Sequence, residues 1–251
     1  MFRKMVSMSK FEAGLDGVTF TSQGSKLLGG FYKAVGETPR PTAVLVHGLP
    51  GIEKHLDVAY RLRDLSWNCL YFHFRGCWGS EGAYSIAGLA DDTRSAVEWV
   101  LRQPSVDQDR LALIAGSTGS YPALLFGAIA PQIRVIVGIS PLLEPSAFQF
   151  PKEMADKFAE MVNGVTGNDL LAQWNAMVSL SGAIRAFAPR PLLFVTADND
   201  EIFPPSHYTD SIVPTPNLQW IRRDESDHGF SACRPWLVQT VADWVVTTSG
   251  Q

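Results

Sequence analysis

At 251 residues the chain has room for one large domain, or for one domain with a modest insertion. A hydrophobic fraction of 46% against 18% charged residues excludes a disordered chain. The formal net charge is -4, and no basic run exceeds Arg222-Arg223, so nucleic acid is not expected as a partner. The three cysteines, Cys69, Cys77 and Cys233, are odd in number and lack metal-ligand spacing. They imply no disulfide framework and favour a reducing compartment. The opening Met1-Phe2-Arg3-Lys4-Met5-Val6-Ser7 is basic but has no apolar run behind it, so no secretory leader is expected. No apolar stretch approaches the ~20 residues of a membrane span, which excludes a membrane partner of that kind and makes the cytoplasm the expected address. A homodimer is compatible with all of this.

In chain order, Val18–Thr21 and Leu27–Tyr32 read as two strands around a turn at Gln23-Gly24-Ser25. After Pro39 and Pro41 the pattern becomes an alternation of apolar runs and amphipathic segments. Ala43–Val46 is the first buried run and ends in His47-Gly48-Leu49-Pro50-Gly51. A helix through Val58, Leu62 and Leu65 leads to a strand over Cys69–Phe74 and then to the glycine-rich Arg75–Gly82. Leu89, Thr93, Val97, Val100 and Leu101 share one helical face. Runs at Leu111–Ile114 and Val135–Ile139 flank a helix holding Leu124, Leu125 and Ile129. The last runs, Leu192–Val195 and Leu218–Ile221, precede a final helix with Pro235 in its first turn and Leu237, Val241, Trp244 and Val245 along it. Nearly continuous apolar strands alternating with amphipathic helices predict an α/β fold, with a mostly parallel central sheet covered by helices on both faces.

Residues 142–190 break this rhythm, because they separate two strands by far more than one crossover helix needs. They read as a small helical lid inserted into a core domain formed by 1–141 and 191–251. Met154, Phe158 and Met161 fall on one helical face and Leu170, Trp174 and Met177 on another. These side chains either pack on the body or form the wall of an apolar substrate pocket.

The stretch Leu111-Ala112-Leu113-Ile114-Ala115-Gly116-Ser117-Thr118-Gly119-Ser120 carries the chemistry. A buried strand ends in small residues with one serine at the bend, a turn that lifts the hydroxyl above the sheet at a helix start. Ligands of open parallel sheets bind outside the carboxyl ends of the strands, and the other candidates fall there too. Asp200 follows Leu192–Val195, with Asp198 as a rival two residues earlier. His228 follows the final run, in Asp227-His228-Gly229-Phe230. A serine needs a base to take its proton, and the imidazole needs a carboxylate to fix its tautomer.

Five features in order now resemble the α/β-hydrolase superfamily: His47–Gly51, Arg75–Gly82, Ala115-Gly116-Ser117-Thr118-Gly119, the Asp200 to Pro204 spacing, and His228-Gly229-Phe230. The resemblance covers nearly the whole chain, and the Arg-Gly…Gly-Ser-Glu-Gly stretch is similar to the small esterase and serine-peptidase-related branch. It departs at Ala115, where glycine is common, and at Ser120 after Gly119. The resemblance implies the α/β-hydrolase fold, Ser117 as nucleophile, His228 as base and Asp200 as orienting acid, the choice over Asp198 resting on Pro204. It implies an oxyanion hole from the backbone N–H groups of Leu49 and Thr118, with no cofactor and no metal. The expected substrate is a small-molecule carboxylic ester with a small to medium acyl chain. An aminopeptidase, thioesterase or acyltransferase with the same triad is the alternative, followed by a hydrolase-fold protein that binds without turnover.

The remaining candidates read as structural. His47 organises the loop that presents Leu49, and His73 satisfies a buried hydrogen bond within a strand. His55 and His207 read as surface or helix residues, Cys77 and Trp78 as packing near the site, and Asp91-Asp92 as the solvated start of a helix.

Overall fold

The computed structural model describes residues 11–209 and 211–249, so the stretch 1–7 considered for a leader lies outside the described residues. The expected apolar runs all become strands: β1 (Gly14–Ser22), β2 (Ser25–Lys33), β3 (Arg40–Val46), β4 (Asn68–Phe72), β5 (Val106–Gly116), β6 (Ile133–Ile139), β7 (Leu192–Ala197) and β8 (Leu218–Arg223). They form one sheet in the order β1-β2-β4-β3-β5-β6-β7-β8. β2 runs antiparallel to β1 and β4, and the remaining neighbours are parallel.

The helices are α1 (Leu56–Asp64), α2 (Leu89–Leu101), α3 (Ser120–Ile129), α4 (Lys152–Ala159), α5 (Gly167–Asn175), α6 (Ser181–Phe187), α7 (Pro205–Thr209) and α8 (Arg234–Thr248). Because successive strand residues point to opposite faces, each apolar run feeds two cores at once. Val44, Val46, Leu111, Leu113 and Phe194 enter the core under α2, α3 and α6. Ala43, Leu45, Ala112, Ile114 and Val195 enter the core under α1 and α8. Both faces are therefore covered, as near-continuous apolar strands require.

Three local readings are corrected. Strand pairing in β4 stops at Phe72, so His73 lies just beyond the strand. Its backbone N–H donates to Leu28 O, while its ring Nδ1 has no partner among the described residues. The buried hydrogen bond expected of His73 is thus made by its main chain. Asp92 is not solvated: it is 1% exposed, its Oδ1 lies 2.7 Å from Arg75 Nε, and Arg75 N–H donates to its Oδ2. Burial pushes its carboxyl above the usual range, and the charge that holds it comes from the glycine-rich loop. His55 and His207, expected as surface or helix residues, are both buried; His207 does sit within α7, and His55 directly precedes α1.

Within 142–190, α6 packs on α3, with Ile184 and Phe187 buried in the main core. α4 and α5 pack on each other and cover the carboxyl end of the sheet. They are tied down: Asn163 N–H donates to Gly76 O at 2.7 Å, Tyr84 N–H to Asn163 O at 2.8 Å, and Ile86 N–H to Gln173 Oε1 at 2.7 Å. The glycine-rich loop and the segment that follows it therefore hold this region by two main-chain bonds at Asn163 and one to the Gln173 side chain.

Arg190 closes the carboxyl end of α3. Its guanidinium donates to the carbonyls of Ala130, Ile133 and Gly127 at 2.7 to 2.9 Å and lies 3.9 Å over the Phe187 ring. The Gly127 and Ala130 carbonyls at the end of α3 each accept one backbone N–H, so the guanidinium is a second donor to them and ties the helix end to the start of β6. Arg190→Ala is expected to destabilise the fold by about 2–3 kcal/mol, read by urea unfolding, since each such charge-assisted bond contributes ~1.5–3 kcal/mol and they are not additive. A change below about 0.5 kcal/mol would show that water replaces the guanidinium at no cost.

Candidate active site

Ser117 occupies the turn between β5 and α3 with φ 52°, a left-handed conformation that is costly for a residue with a Cβ. The surroundings enforce it. A Cβ on Gly119 would collide with the carbonyl oxygens of Val46 and His47, and one on Gly116 would collide with Nε2 of His55. Both glycines thus let the turn press against the β3 loop. Ser120, the departure noted after Gly119, is a brace: its buried hydroxyl donates to Ser117 O and lies 3.2 Å from Leu142 O. Leu142 N–H closes the same carbonyl at 3.1 Å.

Asp200 lies beyond β7 with its side chain fully buried. Its Oδ1 accepts the N–H groups of Ile202 and Phe203 at 2.8 and 2.7 Å, which fixes the carboxylate in the turn. Both its oxygens meet His228 Nδ1, at 2.9 and 2.8 Å. The carboxylate can only accept there, so Nδ1 carries the proton and Nε2 is free to act as a base. The rival, Asp198, is bound to Arg222 at 2.8 Å on the edge of the sheet. Ser140 Oγ donates to the His228 carbonyl, and the Phe203 ring meets the imidazole edge-on at 5.4 Å.

Ser117 and His228 line one cavity of about 240 Å³, together with the Gly48–Gly51 loop. Much of its lining is apolar: Phe148, Phe150, Met154, Phe158 and Trp174 from the 142–190 region, and Phe203, which also touches His228. The two readings of the insertion's apolar faces are therefore divided by residue. Met154, Phe158 and Trp174 form the pocket wall, Leu170 packs in the core, and Met161 is exposed.

The loop after β3 is held by His47. Its Nδ1 donates to Gly48 O at 2.7 Å and its Nε2 accepts from Phe74 N–H at 3.3 Å, so the ring is neutral. Burial pulls its pKa down to about 3. Trp78 braces the same loop by donating to Pro50 O, and Cys77 is buried beside Val162. The Leu49 N–H, expected as an oxyanion-hole donor, donates to Thr118 Oγ1 at 2.7 Å. Leu49 and Thr118 are adjacent, as an oxyanion hole needs, but one of its two donors has a partner in this state.

Sequence reasoning missed His55, which also lines the cavity, and Arg234, which reaches Gly229 O, Asp57 and His55. Among the described residues no cluster of His, Cys, Asp and Glu could hold a metal ion. No described helix is long and apolar enough to cross a membrane.

No protein-family model matches the chain. Est1E of Butyrivibrio proteoclasticus, solved with ferulic acid bound, is similar with a TM-score of 0.78 at 15% identity, covering 93% of this chain and 100% of its own. The α/β hydrolase GrgF of Penicillium sp. sh18 gives a TM-score of 0.76 at 17% identity, covering 95% of this chain and 100% of its own. The chain has the fold of the α/β-hydrolase superfamily. Among curated sequences, an uncharacterized protein of Mycobacterium tuberculosis is 30% identical over 146 residues, 57% of this chain and 52% of that protein. The chain thus spans about half the length of that relative. In the α/β-hydrolase fold seen here, the turn after β5 and the loops after β3, β7 and β8 meet at one end of the sheet, where the cavity opens.

Proposed function

We propose that this α/β-hydrolase-fold protein is a cofactor-free serine hydrolase that cleaves carboxylic esters of small to medium acyl chain. One observation carries the reading: a serine held at φ 52° shares a cavity with an imidazole whose Nδ1 is fixed by a buried carboxylate. Ser117 attacks the carbonyl, and His228 takes its proton and returns it to the leaving oxygen. Asp200 stabilises the imidazolium, and water releases the acyl group by the reverse path. The amides of Leu49 and Thr118 receive the oxyanion. A charged oxygen is a stronger acceptor than the Thr118 hydroxyl, so it draws the Leu49 N–H away as the tetrahedral centre forms.

The apolar lining supports an uncharged acyl group, and Est1E, with a similar fold, binds ferulic acid, an aromatic carboxylic acid. An aminopeptidase needs a carboxylate to receive a free ammonium. Glu53 is the carboxylate among the cavity's lining residues, and its Oε1 already accepts from His55 N–H and lies 3.6 Å from Arg234. Three free thiols suit the cytoplasm.

The test compares p-nitrophenyl esters of two to twelve carbons, taken as roughly the span of such a cavity, with an aminoacyl p-nitroanilide. Turnover that peaks among the shorter esters is expected, together with labelling of Ser117 by a fluorophosphonate. Preference for the anilide would sink the esterase reading. A folded protein that takes no label would make the chain a binder.

A further inference from the structure

His55 is a titratable side chain in the cavity that the Ser117, Asp200 and His228 set does not use. It sits at the start of α1 in a left-handed conformation, φ 54°, and is 6% exposed. Both terminal nitrogens of Arg234 lie 3.4 Å from its Nδ1. A guanidinium only donates, so Nδ1 is the accepting nitrogen. The Glu53 carboxylate is more distant from Nδ1, at 3.8 Å, and its Oε1 accepts the His55 main-chain N–H. Arg234 itself is anchored by a two-pronged pair with Asp57 at 2.6 and 2.9 Å. Burial, with Arg234 and His228 adding to it against Glu53 and Asp57, lowers the His55 pKa to about 4. A neutral imidazole that accepts at Nδ1 carries its hydrogen on Nε2. That edge of the ring abuts Gly116, the residue before Ser117, and has no hydrogen-bond partner among the described residues.

Which part of an ester meets this donor follows from His228. The base returns its proton to the leaving oxygen, so the alcohol portion lies on the His228 side of the cavity. His55 is on that side, because Arg234 Nη1 joins its Nδ1 to the carbonyl of Gly229, the residue after the base. The aromatic wall of the insertion remains for the acyl chain.

We propose that His55 determines specificity, its Nε2–H donating to an acceptor oxygen on the alcohol portion of the substrate. The preferred esters are then those of alkoxy- or hydroxy-substituted alcohols, such as glycol or polyol monoesters, over those of plain alkanols. This rests on the serine-hydrolase reading of Ser117.

The test uses two esters of equal chain length, 2-methoxyethyl butanoate and n-butyl butanoate, which differ by an oxygen in place of a methylene. Each kcat/KM is divided by the ester's own hydroxide-catalysed rate, and the ratio is read within one variant, so partial misfolding cancels. The wild-type protein is expected to favour the methoxyethyl ester about tenfold, as a buried donor left without its acceptor would dictate. His55→Leu brings the ratio to about one, and His55→Gln, which keeps an N–H donor, retains most of it. A wild-type ratio of one or less overturns the proposal without any variant, and so does an unchanged ratio in His55→Leu or equal loss in both variants. Turnover of neither ester by a folded protein that takes no fluorophosphonate label overturns the serine-hydrolase reading, and the role of His55 with it.

Discussion

Ser117→Ala is expected to lower kcat for p-nitrophenyl butanoate by about 10⁴- to 10⁶-fold, since loss of a triad nucleophile typically costs that much. The fold should be unaffected. The bonds that hold the turn run through the Ser117 carbonyl, which accepts from Ser120 Oγ and Leu142 N–H, and neither involves the nucleophile's hydroxyl. The enforcing contacts belong to Gly116 and Gly119, which the substitution leaves in place. What survives is the cavity and the two amides, so KM should move far less than kcat. The measurement is initial-rate kinetics beside a circular-dichroism spectrum and a fluorophosphonate label. Retention of more than about a tenth of the activity by a folded, unlabelled variant would remove Ser117 from the mechanism.

The parts legible in the sequence are those set by short-range pattern. Apolar runs of strand length gave the sheet, because burial on both faces leaves no polar alternation to misread. The turn at Ser117 was visible because its small residues are local. The choice of Asp200 over Asp198 rested on the resemblance, whose proline four residues on matches Pro204, and the pairing of Asp198 with Arg222 adds a physical reason: that carboxylate is committed to a sheet-edge ion pair.

What escaped was set by partners far away in the chain. His55 follows Glu53-Lys54 and opens a helix, which reads as surface, yet it is buried because Arg234, 179 residues later, closes over it. Asp92 sits beside a half-buried Asp91 and is held by Arg75, 17 residues earlier, which no helical period reveals. The bond of the Leu49 amide escaped because its acceptor, the Thr118 hydroxyl, lies 69 residues on. In each case a polar side chain found its partner through the fold. Such pairings do not repeat along the sequence, so a reading by periodicity passes over them.

The buried imidazoles of His47 and His55 are expected to make the protein acid-labile. Stability is expected to fall by roughly 3 kcal/mol between pH 7 and pH 5, before the ordinary carboxylates titrate. In the unfolded chain an imidazole takes its proton near pH 6.5. In the fold, burial delays this to about 3 for His47, which faces His73 and Lys54, and to about 4 for His55, which faces Glu53, Asp57, Arg234 and His228. Between those values the unfolded state binds the protons. The stability held at neutral pH is therefore lost as pH falls through 6.5, and the loss continues down to the folded values. Each of these two fully buried rings contributes about 1.5–2 kcal/mol over that window. His73 and His207, lowered to about 4 by burial, act in the same direction from less enclosed positions. Against a total stability of ~5–15 kcal/mol this loss is large. Urea unfolding at pH 7 and pH 5 measures it, and His47→Gln, which keeps one donor and one acceptor for Gly48 O and Phe74 N–H, should reduce the slope by about one proton. An unfolding free energy constant within about 0.5 kcal/mol across that range would mean that the rings take protons without leaving the fold.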